Sequence, residues 1–298
     1  MLMVQLACFA VVGEEVTLGP VADTCLWEFD ADFNFGAQTD LPAGTLAVQG
    51  DRARSRALFR FDFSSLPNIS SVISAQLNVT VTRSPPAAAN STFALHRVLK
   101  PWREGTKSGE IPGGANATAG ETTWNQRLHG ETLWETPGGQ MGIDFGAAVS
   151  GSAIIRGNGR YEFQLTTQGL ADVQSMRTDP SSNYGWILIT QAEGTAKTAR
   201  RFGSREHASS APELVISFAP PFTVPLVNAL FDTEAEEVVI TVSALASASY
   251  RLERALSESP NTWVTVAQET PMETASLPLR ASTAGLEVAF FRVTGSPP

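Results

Sequence analysis

Alternation of apolar and polar residues along the chain predicts β-strands separated by turns. In RALFRFDF, residues 56–63, every second residue from Ala57 onward is apolar, and the three phenylalanines fall on one face. Arg56 and Arg60 fall on the opposite face. The pattern therefore predicts a strand whose phenylalanines form one wall of a core and whose arginines lie on the other side of the sheet.

The segment VISAQLNVTVT, residues 72–82, carries the clearest alternation. Ile73, Ala75, Leu77, Val79 and Val81 form its apolar face, and Ser, Gln, Asn and Thr form the other, which is typical of a sandwich strand. The predicted strands of this part of the chain are Thr24–Glu28, Thr45–Gln49, Arg56–Phe63, Val72–Thr82, Phe93–Val98, Tyr161–Gln164, Gly185–Gln191 and Glu213–Phe218.

Two segments depart from this alternation. Residues 100–143 are rich in glycine and tryptophan and have little periodicity, which predicts a long irregular region. One helix is predicted over residues 167–176, with Thr166 or Thr167 as its N-cap and its end before Pro180.

The proline-rich run at residues 220–225 predicts a linker. After it, short alternating segments predict strands near Val238–Val242, Ser249–Arg254, Trp263–Val266 and Glu287–Val293. We therefore predict an all-β protein, with a jelly-roll-like β-sandwich over residues 21–219 and a small second β-sandwich over residues 226–298.

Composition narrows the function classes. The formal net charge of -9 disfavours a nucleic-acid binder, which needs a basic surface to displace counterions. Residues 1–13 are apolar but too short to span a bilayer, so we predict that residues 1–15 are a truncated signal peptide and that the protein is secreted. A buried first strand is the alternative. Without this leader Cys25 is the only cysteine, which excludes an intramolecular disulfide.

Catalytic and metal-binding motifs are sparse. The three histidines are scattered, no G-x-S-x-G motif occurs, and nothing nominates a pair of catalytic carboxylates, so we predict a protein that is not an enzyme. The stretch FDADFNFG imitates the first half of a calcium loop but lacks the closing glutamate. A structural calcium ion held by Asp23, Asp30 and Asp32 is one prediction for this segment, and an Asx-turn loop without a metal is the other.

Arginine and tryptophan side chains are the candidate ligand-binding groups. Guanidinium groups bind carboxylates and hydroxyls through several donors, and indole rings stack on the flat faces of sugars. The alternatives are that the tryptophans plug the end of the sandwich and that the arginines pair with nearby acidic residues. The candidates are Arg56, Arg60, Arg97, Arg201 and Arg205, with Trp102 and Trp124 as stacking platforms.

Seven segments, in order, resemble the DNRLRE domain, which is also classified as carbohydrate-binding module family 96. They are ADTCLWEF with NFG (22–36), SRALFRFDFSSLP (55–67), VISAQLNVTVT (72–82), HRVLKPWREGT (96–106), GETTWNQR (120–127), NYGWILI (183–189) and RFGSREHASSAPELVISF (201–218). The resemblance implies a secreted or surface jelly-roll sandwich that binds polysaccharide, with alginate-type acidic polymers among its ligands. It also implies association with a cell surface or with a polysaccharide-degrading enzyme.

The C-terminal residues are similar to small β modules at the ends of exported proteins of Verrucomicrobia and related bacteria. The matching residues are YRLER at 250–254, NTW at 261–263 and AFFRV at 289–293. The leading hypothesis is thus a secreted, non-catalytic carbohydrate-binding module that holds a polysaccharide on an arginine-bearing sheet face. A structural surface or adhesion module without a sugar site is the alternative.

Overall fold

The chain folds into two units. The computed structural model describes residues 14–46, 54–66, 71–110, 113–219, 226–232, 234–255, 263–284 and 290–296. The first unit comprises residues 14–218, and the second begins at Ala219. Most of the predicted leader, residues 1–13, and the predicted linker, residues 220–225, lie outside the described residues. Glu14 and Glu15, the last two residues of that leader, are already part of a strand.

The regular secondary structure of the first unit consists almost entirely of strands. They are β1 (Glu14–Leu18), β2 (Pro20–Trp27), β3 (Phe33–Asn34), β4 (Asp40–Thr45), β5 (Arg54–Phe61), β6 (Ser71–Arg83), β7 (Ser91–Arg97), β8 (Ala115–Asn116), β9 (Gln126–Leu128), β10 (Thr132–Leu133), β11 (Gly151–Ile155), β12 (Gly159–Gln164), β13 (Trp186–Thr190), β14 (Arg200–Gly203) and β15 (Glu213–Ala219). A helix, α1 (Thr167–Thr178), and a short 3₁₀-helix (Pro180–Ser182) connect β12 to β13.

Eleven of these strands form one curled sheet. Its order is β1-β15-β6-β14-β4-β5-β13-β7-β11, with β12 added to β6 and β2 added to β5. β4 pairs with β14 on one side and with β5 on the other, so it joins the two halves of the sheet. The halves enclose a core with many phenylalanines, and the prediction of an all-β, sandwich-like fold is confirmed.

Many side chains of this core lie at positions that the alternation predicts to face inward. Phe59 and Phe61 of β5 have no exposed surface, and Ala75 to Val81 follow the predicted inward pattern along β6. Ile73 was predicted on the same inward face, but 57% of its surface is exposed. That prediction is wrong, because the alternation reports the side of a strand and not where the covering layer ends.

The predicted helix is confirmed, and it ends two residues later than expected. The Thr166 side chain accepts a hydrogen bond from the Gly169 N–H and caps α1, and Asp179 follows the last helical residue. Val173 and Met176 are buried in the main core. Among the described residues, no helix has the length and the apolar character needed to cross a membrane.

A second apolar cluster lies on the outer face of β5 and β13. Leu58 and Ile187 point into it, and the long segment 98–149 covers them with Trp102, Trp124 and other apolar side chains. Gly138 permits this cover: its φ is +86°, and a Cβ there would stand 2.7 Å from the Trp124 ring. The segment predicted as irregular is therefore a packed layer on the sheet.

The second unit is a small sandwich of two three-stranded sheets. Its described strands are β16 (Leu226–Asp232), β17 (Glu237–Ala244), β18 (Ser249–Ala255), β19 (Val264–Glu269), β20 (Ala275–Ser282) and β21 (Phe290–Ser296). One sheet has the order β16-β17-β20 and the other β19-β18-β21, and their facing side chains form a separate core.

Candidate functional site

Arg56 lies in the interior. Its guanidinium donates two hydrogen bonds to the Glu193 carboxylate, at 2.8 and 2.7 Å, and one to each of the carbonyls of Gly138 and Gly139, at 2.8 and 3.0 Å. It also stacks on Trp124, with 5.5 Å from Cζ to the ring centroid, and only 8% of the residue is exposed. These contacts join the Arg56 guanidinium to groups of the protein itself and not to a ligand.

Arg60, on the same outer face, is half-buried. Its Cζ lies 5.3 Å from the centroid of the Trp102 ring, and burial lowers its pKa whereas the charge of Glu104 raises it. Trp102 itself is 2% exposed and donates from its indole N–H to the Tyr184 carbonyl at 2.7 Å. Its ring is consequently a packing surface for Arg60 and not an open platform.

Trp124 is equally buried. In addition to Arg56, the guanidinium of Arg54 lies 5.3 Å from its ring centroid, and 2% of the residue is exposed. Two arginines and Gly138 therefore pack against this ring, and Trp124 also lines a cleft after β2. For both predicted stacking residues, the structure supports the alternative in which tryptophan closes the sheet.

The remaining predicted arginines lie in separate environments. Arg97 is opposite Trp186 in register, which places it on the inner face, and it donates to the Ser182 hydroxyl at 3.1 Å. Arg201 belongs to β14 in the other half of the curled sheet, opposite Arg83, and burial lowers its pKa. The five predicted arginines thus do not form one row along a sheet face.

Arg205 joins a cluster of acidic residues. Its guanidinium donates to both oxygens of Glu104, at 2.6 and 3.0 Å, and pairs with Glu206 at 2.9 Å. Its backbone N–H donates to Asp23 Oδ2 at 2.7 Å. One oxygen from each of the carboxylates of Asp23, Glu104 and Glu206 lies within 4.8 Å of the other two.

Asp23 is the buried member of this cluster. It has no exposed surface, and burial raises the pKa of its carboxyl from 3.8 to about 8, with further contributions from the charges of Glu206 and Glu104. The N–H of Arg205 acts in the opposite direction and lowers this pKa. Asp23 Oδ1 has no hydrogen-bond partner among the described residues.

The predicted calcium ligands are divided between two places. Asp30 and Asp32 are not part of the carboxylate group of Asp23 but line an open cleft of about 580 Å³ in the turn after β2. Glu28, Asn116 and Asn125 complete its polar lining, and Asn125 donates to Asp32 at 3.1 Å. Phe29 also lines this cleft and is 52% exposed.

The side chain of Asn34 holds the long segment in place beside the cleft and the carboxylate cluster. Its side-chain amide donates to the carbonyls of Glu104 and Thr122, at 2.7 and 3.0 Å, and its Oδ1 accepts from the N–H groups of Gly36 and Lys107. This buried amide therefore holds the backbone of the long segment against β3.

Sequence reasoning missed Phe29, Glu104 and Glu206 as functional candidates. Glu104 lies in WREGT and Glu206 in SREH, and both stretches belong to the seven segments on which the resemblance rests. Their place in those segments was the available signal. Phe29 sits beside Asp30 in the turn, where an aromatic residue outside a predicted strand was the available signal.

A scan against models of protein families and a search of curated proteins both find no match to this chain.

Proposed function

We propose that the first unit is a non-catalytic carbohydrate-binding module of a secreted protein, and that it binds polysaccharide in the cleft beside Phe29. The observation that carries this proposal is the exposed aromatic ring of Phe29 in an open cleft, whose lining combines carboxylate and amide side chains with Ala31, Phe33 and Trp124. An aromatic face packs on the C–H face of a sugar, and carboxylates and amides bind its hydroxyl groups. The sandwich fold and the resemblance described above support the same assignment.

The charge of the cleft favours a neutral polysaccharide. Asp30 and Asp32 both line it, and two of the arginines that were expected to hold an acidic polymer, Arg56 and Arg205, are paired with glutamates of the protein. An alginate-like chain would bring its carboxylates next to those aspartates, which costs Coulomb energy. This ligand class differs from the acidic one that the resemblance implies.

Affinity gel electrophoresis of the full chain tests the proposal. Gels with neutral polysaccharides, such as β-glucan, xylan and mannan, are compared with gels containing alginate or pectate. We expect retardation by at least one neutral polymer, and a loss of roughly tenfold or more in affinity for Phe29→Ala, because the ring supplies the apolar contact. The melting temperature should be unchanged, because Phe29 is exposed.

Phe231→Ala is the matched control. Phe231 is 61% exposed in β16 of the second unit, so its removal should leave retardation intact. Retardation by none of the polymers would contradict the proposal, and so would equal losses in both variants. Retardation only by the acidic polymers would contradict the neutral ligand class.

A structural or adhesion module is the second candidate function. The internal pairing of Arg56 with Glu193 and of Arg205 with Glu104 favours it, because these arginines then stabilise the protein and bind no ligand. Arg60→Ala separates the two functions for the outer face. A lower melting temperature with unchanged retardation supports packing on Trp102, whereas lost retardation with an unchanged melting temperature supports a ligand contact.

A further inference from the structure

Three carboxylates from distant parts of the chain converge beside β2. Asp23 belongs to β2, Glu104 to the long segment and Glu206 to the turn after β14, and one oxygen from each lies within 4.8 Å of the others. None of the three is fully exposed, and Asp23 is completely buried. This differs from an ordinary acidic surface patch, in which the carboxylates are solvated.

The positive charge in this cluster is smaller than its negative charge. Arg205 supplies one guanidinium, which pairs with Glu104 and Glu206. In the part of the chain that the structure describes, its one hydrogen bond to Asp23 comes from its backbone N–H, which donates to Oδ2. The other oxygen, Oδ1, is buried without a hydrogen-bond partner among the described residues. A buried carboxyl oxygen in that state is costly unless a proton, another ligand or an ion contacts it.

We propose that Asp23, Glu104 and Glu206 bind one divalent cation, Ca²⁺ in preference to Mg²⁺ or Zn²⁺. All three ligands are oxygens, which suit Ca²⁺ and Mg²⁺, whereas zinc sites usually contain histidine or cysteine. Oxygens within 4.8 Å of one another can all touch one Ca²⁺ ion at the usual distances of about 2.3–2.6 Å. Mg²⁺ requires shorter distances and a nearly octahedral arrangement, whereas Ca²⁺ accepts a less regular set of oxygens.

The cation would fasten the long segment to the sheet. Glu104 belongs to that segment, and its carboxylate already accepts a hydrogen bond from the Asp23 N–H at 2.8 Å. Because the three ligands are far apart in sequence, the unfolded chain cannot present them together, so the ion binds the folded state. With a Kd typical of extracellular calcium modules, about 0.1–1 mM, we expect about 10 mM CaCl₂ to raise the melting temperature by roughly 3–10 °C.

Thermal unfolding of the full chain, followed by tryptophan fluorescence after treatment with EDTA, measures this shift. Five of the six tryptophans lie in the first unit, so the signal reports mainly on the unit that contains the cluster. MgCl₂ and NaCl at matched ionic strength are the salt controls. Equilibrium dialysis with calcium gives the stoichiometry, for which we expect one ion per chain removed by Glu206→Gln.

Asp23→Asn and Glu206→Gln should abolish the calcium shift. Glu213→Gln is the matched control, because Glu213 also pairs with an arginine, Arg160, but lies outside the cluster, and its shift should equal that of the wild type. A wild-type protein that neither binds calcium in dialysis nor melts higher would overturn the proposal and leave Arg205 and a proton as the counter-charges. Equal shifts in Glu206→Gln and the wild type would also overturn it. The dialysis of wild-type protein decides the question even where Asp23→Asn does not fold, and neither outcome depends on polysaccharide binding.

Discussion

Replacing Arg56 with methionine should destabilise the first unit without acting on a ligand. Methionine keeps much of the apolar length that packs on Trp124 but removes all four hydrogen bonds of the guanidinium. The carbonyls of Gly138 and Gly139 lose their charged donor, and the Glu193 carboxylate loses its partner. The change thus tests whether this arginine is part of the fold.

The expected loss follows from the burial of these partners. Breaking a buried ion pair by removing one member costs about 3–5 kcal/mol, and a side chain of Glu193 that is 21% exposed recovers part of this from water. We therefore expect the free energy of unfolding to fall by about 3–4 kcal/mol. At roughly 2–4 °C per kcal/mol for a unit of this size, the melting temperature should fall by roughly 6–16 °C.

Denaturant unfolding followed by tryptophan fluorescence measures the change, and Arg160→Met is the control. The pair of Arg160 and Glu213 has an N–O distance of 2.6 Å, almost the same as that of Arg56 and Glu193, but both of its side chains are about half exposed. Its loss should cost about 0–1 kcal/mol. If Arg56→Met unfolds within about 1 kcal/mol of the wild type, the argument from burial is refuted. Lost polysaccharide binding in that variant would then restore the ligand contact first predicted.

Three further changes test other parts of the structure. Asn34→Asp should cost about 3 kcal/mol or more in unfolding free energy, because it turns the donor to two carbonyls into a buried charge, and a small loss in chemical denaturation would contradict this. Arg200→Met should cost about 3–5 kcal/mol, since this buried guanidinium donates to five backbone carbonyls, and a melting temperature like that of the wild type would refute it. Burial lowers the pKa of His96, so the folded state binds fewer protons than the unfolded state and stability falls as the pH drops below about 6.5. His96→Gln should therefore lose less stability between about pH 7 and pH 5 than the wild type, and an unchanged pH profile would exclude His96 as the cause.

The sequence predicted much of the main core because several of its elements carry their own signal. Alternation alone places Phe59 and Phe61 of β5 on the inner face, and helical spacing with a threonine cap predicts α1. These signals are local, since each depends on residues within one strand or one turn of helix. Short strands such as β11 and β14 were not predicted, because their sequences GSAII and RRFG do not alternate between apolar and polar residues.

Whether the outer face of the sheet is exposed or covered could not be predicted in the same way. Alternation shows that Arg56 lies opposite the phenylalanines, but it cannot show whether that side of the sheet meets water or another layer. The covering residues, including Trp102 and Trp124, come from a segment without periodicity. The same limit applies to Asp23, which local spacing grouped with Asp30, whereas its true neighbour Glu104 lies 81 residues away in sequence.

The long segment 98–149 connects all the functional proposals made for this protein. It buries the outer face of β5 through its tryptophans, carries Glu104 to Asp23, and supplies Asn116 and Asn125 to the cleft. The main core is formed largely by the sheet strands and α1, so changes at exposed positions of this segment alter the cleft at little cost to folding. Changes at the buried tryptophans of this segment affect both folding and the cleft, because the same layer that closes the sheet also fixes the position of the cleft. Under the proposed function, exposed residues such as Asn116 can therefore change the ligand preference while the sheet beneath stays the same.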